Sequence, residues 1–267
     1  MDKVTLKNIK ENLKIDIKQR GFKTEGQWYI RVVNAQILQY IFFQGSSSGD
    51  TFYVNIGIIP LCIDNVTSAK YYLGSERLCE TSGNGEWNYS NKSVETVTGL
   101  IKEVVFPLFD TCTTYRELFE TIKPVIENIS FYLQNPCDMV GRIYFALYYQ
   151  NWTMMFVKLQ EYEYGIKYLR NVYFLEEKYY NETRNSLEED VSKLADSTEP
   201  MDLLIRQNCI DVLNGLKETA VDRITPIKNL IEQLENNDIH EMMERIEKNE
   251  KINNESLKKY AKKEKKS

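Results

Sequence analysis

The stretch Gln36–Ile59, QILQYIFFQGSSSGDTFYVNIGII, limits the possible folds more than any other part of this chain. Two runs of β-forming residues flank Gly45-Ser46-Ser47-Ser48-Gly49-Asp50, which tolerates the tight or positive φ angles of a turn, so the spacing predicts a β-hairpin. In the second arm Phe52, Val54, Ile56 and Ile58 alternate with Thr51, Tyr53, Asn55 and Gly57, the period of a strand with one face in a core. The first arm is apolar on both sides, with Ile37, Ile41 and Phe43 on one and Leu38, Tyr40 and Phe42 on the other. That pattern predicts a central strand covered on both faces. A Gly/Ser loop can also cradle a phosphate, but such loops run from strand to helix with a Lys close by, and this one joins two strands without one.

Leu6, Ile9, Leu13 and Ile17 fall at helical spacing and predict an amphipathic helix from Lys3 to Arg20, ended by Gly21. Trp28, Ile30 and Val32 alternate in a lead-in strand over Gln27–Val33. Pro60 ends the second hairpin arm, and short strands near Cys79 and Trp87 extend the sheet. A helix over Lys92–Phe109 contains Pro107, which should kink or end it. Thr114 and Glu117 stand at capping-box spacing ahead of the next helix, which Pro124 is expected to break before a shorter run, Val125–Leu133.

The texture changes at Asn135-Pro136, beyond which no strand is predicted. Helices are expected over Asp138–Lys158, Tyr162–Tyr180, Leu187–Leu194 and Met201–Thr219, with another starting near Pro226. Gln160–Ile166 looks like the second helix of a tetratricopeptide hairpin, but there is one copy and such arrays need about three, so it reads as packing. The predicted fold class is α+β: an N-terminal antiparallel sheet domain with packed helices over 1–134, an all-helical domain over 135–256, and a basic tail, 257–267, expected to be disordered.

Charge is unevenly placed. The last eleven residues hold six Lys and one Glu, a net +5, so the chain's total of −5 leaves −10 for the rest. An acidic body does not suit nucleic-acid phosphates and suits docking to a basic protein. The N-terminal MDKVTLKNIKENLK is charged where a secretory signal needs an apolar run, and no window approaches a membrane span, so a soluble, cytoplasmic protein is expected. Cys62, Cys79, Cys112, Cys137 and Cys209 are scattered with no C-x-x-C pair and read as reduced, mostly buried thiols.

No catalytic, cofactor-binding or metal-binding constellation emerges. The single histidine, His240, lies in a charged C-terminal helix, which disfavours Ser–His and Cys–His nucleophiles, and no Cys/His cluster has zinc spacing. Acid runs such as Glu188-Glu189-Asp190 read as solvated helix faces. The candidate interaction residues are large aromatics with polar neighbours on the sheet: Trp28, Tyr40, Tyr53, Asn55, Arg77 and Trp87, with Gln44 at the end of the first arm. For Gln44 and Asn55 the expected role is to satisfy buried backbone groups.

Gly21-Phe22-Lys23, Trp28, Gln36–Gln44, Phe52-Tyr53-Val54-Asn55-Ile56-Gly57, Arg77 and Glu86-Trp87 together resemble an uncharacterised bacterial domain-of-unknown-function family of the DUF 4304 type. The likeness spans about Lys3 to Ile122; where the family has paired tryptophans, this chain has Trp87-Asn88. The resemblance implies a bacterial accessory protein, some relatives being of immunity type, and carries over no catalytic residue. The expected function is non-catalytic binding of another protein, such as a basic toxin or effector neutralised by an immunity protein. The alternatives are a carboxylate-dependent hydrolase or transferase with two acids in a cleft between sheet and helices, and a scaffold self-associating through Tyr144–Tyr180.

Overall fold

The computed structural model describes residues 3–47, 49–64, 66, 76–79, 85–135, 138–146 and 149–261. Its architecture is α+β: an antiparallel sheet in the N-terminal part, with helices making up most of the rest. The chain divides into two compact units, residues 1–160 with 240–267, and residues 161–239. The sequence texture places the boundary at 134/135 instead. The difference arises because residues 135–160 and the last helix both belong with the sheet unit.

In the first unit, α1 (Lys3–Gln19) buries Thr5, Ile9, Leu13 and Ile17. Gly21, at φ 76°, ends it in the left-handed conformation, and Phe22 N–H donates to the Ile17 carbonyl at 3.0 Å. The strands are β1 (Lys23–Glu25), β2 (Trp28–Val33), β3 (Ile37–Gly45), β4 (Thr51–Pro60), β5 (Glu76–Arg77) and β6 (Glu86–Asn88). They lie in the order β1-β2-β3-β4-β5, and β6 pairs with the other half of the same edge of β4. The β2–β3 turn sets Asn34 and Ala35 at φ 51° and 54°, the mirror-image turn that suits strand twist. The long hairpin pairs Ile37 with Pro60 at one end and Gly45 with Phe52 at the other, and β3 is central, as its two apolar faces require.

Paired residues of an antiparallel ladder share a face. Tyr29, Arg31, Gln39, Ile41, Phe43, Phe52, Val54, Ile56 and Ile58 form the core face, all buried. A rod covers it, made of α2 (Asn91–Leu100), a π-helical turn (Ile101–Val105) and α3 (Phe106–Thr111). The π turn stands directly before Pro107, absorbing the missing donor without ending the helix. Gln39 Nε2 donates to the carbonyls of Phe109 and Cys112, both at 2.7 Å, while Gln39 Oε1 accepts from Arg31 Nε at 2.6 Å. Arg31 also pairs with Asp110 at 3.2 Å. This buried relay binds β2 and β3 to the end of α3.

Helix α4 (Tyr115–Glu127) opens with the Thr114/Glu117 capping box and continues through Pro124. The break comes at Asn128, which caps α5 (Ile129–Gln134). Within the predicted helix over Asp138–Lys158, α6 (Met139–Ala146) and α7 (Tyr149–Leu159) are helical, and 147 and 148 lie outside the described residues. In the second unit, α8 (Tyr162–Lys193) and α9 (Pro200–Glu235) form an antiparallel hairpin tied by Arg170–Glu235 at 2.9 Å and Arg223–Glu176 at 3.5 Å. Each absorbs what the sequence divides in two, and Pro226 sits inside α9 rather than at a helix start. The carbonyls that Pro124 and Pro226 leave without a helical donor belong to Glu120 and Asp222, both exposed residues, on the side of the helix where a proline is best tolerated.

Helix α10 (His240–Leu257) closes the first unit. Arg245, Asn249 and Asn253, spaced four apart, present one polar stripe to the segment after β4. Arg245 pairs with Asp64, and Asn249 Nδ2 reaches Asp64 Oδ1 at 2.8 Å. Asn253 Nδ2, buried, donates to the carbonyls of Leu61 at 2.9 Å and Ile63 at 2.7 Å. A 3-10 turn, Lys258–Tyr260, follows; Tyr260 is buried with its hydroxyl on Glu25, and Ala261 bridges to Val32. The expected disordered tail therefore begins too early at 257: residues up to Ala261 are docked, and 262–267 lie outside the described residues.

Candidate aromatic interaction surface

The face opposite the core rod carries the predicted residues. Across four strands, Trp28, Phe42, Asn55 and Arg77 are register partners in one row. The neighbouring rows are Ile30, Tyr40 and Gly57 on one side, and Gln44, Tyr53 and Glu86 on the other. Trp28, Tyr40, Tyr53, Asn55 and Arg77 therefore share one face.

Their packing is layered. The Trp28 and Phe42 rings stack at 4.0 Å and 12°, with Tyr40 tilted against Trp28 at 5.4 Å. The Arg77 guanidinium lies 3.8 Å above the Tyr53 ring. Gly85, at φ 75°, makes room there: a Cβ at that position would stand 2.9 Å from Arg77 Cβ and 3.2 Å from the Leu78 carbonyl oxygen. Glu86 accepts from Tyr53 Oη at 3.2 Å and from Thr51 Oγ1 at 2.5 Å. Asn55 donates to Gln44 Oε1 at 3.2 Å and to the Phe42 carbonyl at 3.5 Å. Asn55 and Tyr40 are buried; Trp28, Phe42 and Tyr53 are half-exposed; Gln44, Arg77 and Glu86 are exposed. Gln44 is thus a surface side chain that holds Asn55, where a buried backbone partner is expected from the sequence.

Trp87 is the exception. It pairs with Phe52 on the core face, is buried, and donates its indole N–H to the Leu78 carbonyl at 3.2 Å. It is a core residue. Phe42 and Glu86 take its place in the surface. Phe42 shares the parity of Tyr40 along β3, which was the available signal. For Glu86 the signal was weaker, since it depends on the register of a three-residue strand.

A cation stacked on a phenol, an indole stacked on a phenyl and one carboxylate offer large amphipathic area on a rigid sheet. The thiols elsewhere are poorly placed as nucleophiles: burial pushes Cys62 and Cys112 up, which keeps them protonated. Among the described residues, no cluster of three or more His, Cys, Asp or Glu side chains is arranged to hold a metal ion, and no helix is long and apolar enough to cross a membrane. No family model, no curated protein and no solved structure matches this chain.

Proposed function

We propose that this protein acts by binding another protein through the aromatic row on its sheet. The observation that carries the reading is the half-exposed Trp28–Phe42 stack continued by Arg77 over Tyr53, on strands held rigid by their neighbours. Binding surfaces concentrate affinity in such amphipathic anchors, because they bury large area at small cost in side-chain entropy. The acidic body favours a basic partner and speeds its approach at low salt. A basic toxin or effector, masked in the manner of an immunity protein, fits those requirements.

The test is capture with the tagged chain from its native host. The expected result is one basic partner at a fixed stoichiometry, with association that slows as salt rises. Arg77→Ala, at an exposed position, should weaken the complex by about tenfold or more, and Trp28→Ala further. Absence of a stoichiometric partner, or a complex indifferent to both substitutions, overturns the proposal.

A further inference from the structure

A second surface lies on the opposite border of the sheet, where α1 faces the edge strand β1. A groove of about 500 Å³ runs there, its floor made by Ile17, Phe22 and Tyr29. Its rim carries Lys10, Lys14, Lys18 and Lys23, and Glu11 is the one acid among its described lining residues. In a chain of net charge −5, this rim is net +3.

Of the lysines on α1, Lys18 stands in the last turn, where a cation favours the helix; the others do not. Lys3, Lys7, Lys10, Lys14 and Lys18 recur at steps of four, three, four and four, which puts them on one side of α1. Like charges at i,i+4 repel within a helix, and no acid stands in the first turn of α1 to offset them. The nearest acid, Glu11, lies 4.0 Å from Lys14. Lys10 donates to the Gly26 carbonyl at 2.6 Å and Lys23 to the Lys259 carbonyl, contacts that leave the charge in place. The stripe therefore sets several exposed cations beside an apolar floor, a combination complementary to an acidic ligand with apolar groups.

We infer that this groove takes an extended acidic peptide in which carboxylates alternate with apolar residues. Two observations converge on that occupant. Lys10, Lys14 and Lys18 repeat every four helical residues, about 6 Å. Side chains on one face of an extended strand repeat at about 6.7 Å, so successive carboxylates meet successive lysines. The intervening side chains of such a peptide face the apolar floor, which a nucleic-acid backbone would leave unused. Beside the groove the turn Lys258–Tyr260 is docked on the Lys23 and Glu25 side chains of β1, and Ala261 completes the lining. The groove lies apart from the aromatic row, and its ligand has the charge opposite to that of the partner proposed there.

The experiment titrates the full chain into a fluorescently labelled eight-residue peptide of alternating Glu and Val at low salt. Two probes serve as comparisons: an eight-residue poly-Glu peptide and a single-stranded RNA of equal charge. The expected result is saturable binding of the alternating peptide, tighter than both comparisons and weakened about tenfold by Lys14→Ala with Lys18→Ala, both exposed positions whose replacement leaves thermal unfolding unchanged. No binding of the alternating peptide by about 1 mM overturns the inference. So does equal binding of poly-Glu or RNA, or binding indifferent to the double substitution.

Discussion

The ring of Tyr40 fills the place where a side chain of Gly57, its cross-strand partner, would stand. A Cβ at residue 57 would stand 2.8 Å from Tyr40 Oη and closer still to the ring carbons. An aromatic ring covering a cross-strand glycine fills the gap the missing side chain leaves. Gly57→Ala should drive the ring from its buried site and destabilise the protein by about 1–3 kcal/mol, as overpacking does. Urea unfolding checks this, and Tyr40→Ala in the same chain should recover part of the loss, since neighbouring substitutions are not additive.

Gln39 is a buried polar residue with three strong bonds, one from Arg31 and two to carbonyls at the end of α3. Gln39→Leu keeps the volume and removes every one of them. The expected cost is about 2–4 kcal/mol, read as a lowered denaturation midpoint with unchanged slope, because two buried carbonyls and the Arg31 guanidinium lose partners. A change below about 0.5 kcal/mol would mean that water replaces the relay.

The start of α4 should respond to acid. The Thr113 hydroxyl, with the backbone N–H groups of Thr113 and Thr114, holds the Glu117 carboxyl below the usual carboxylate range. A carboxyl lowered by folding stabilises above its unfolded value, about 4.3, and the contribution fades as pH falls through the lower folded value. The stability difference between the wild type and Glu117→Gln should therefore be present at pH 7 and vanish well below pH ~4, with solvent screening keeping it under about 1 kcal/mol. Thr114→Ala, which removes the other half of the box, should cost about 1 kcal/mol at neutral pH.

Thiol reactivity should rank the cysteines. Cys62, Cys79 and Cys112 are buried and Cys209 is partly exposed on α9. Of these four, native labelling with a maleimide should modify Cys209 first, with the other three reacting only on unfolding. Mass spectrometry of the labelled peptides reads the order directly.

The polar stripe of α10 gives a fifth target. Asn253→Ala leaves the buried carbonyls of Leu61 and Ile63 without the side-chain donor that now serves both. A loss of about 1–3 kcal/mol in global stability is expected, together with faster amide exchange through Lys258–Ala261.

Alternation made the sheet legible. The parity of Trp28, Tyr40, Tyr53 and Asn55 followed from period-two patterning, and the register of β2, β3 and β4 keeps them together. Trp87 was lost because it follows a stretch with no clear period, and a one-residue shift in a three-residue strand moves a side chain to the other face. Pro124 and Pro226 misled for a different reason. Local propensity marks a proline as a stop, yet a helix continues when the freed carbonyl belongs to an exposed residue. The role of α10 was hidden because Arg245, Asn249 and Asn253 look like solvent-facing residues. Their carbonyl and carboxylate partners lie near residue 60 of the chain, out of reach of any local reading.

The helix that clasps the strand extension near residue 60 is encoded after the entire α8–α9 excursion. Asn253 follows Leu61 by 192 residues and Ile63 by 190, so during synthesis these carbonyls leave the ribosome well before the side chain that holds them. The body that begins the chain is sealed by its end, and a nascent chain stalled inside the hairpin would hold an open, aggregation-prone sheet for a chaperone to shelter.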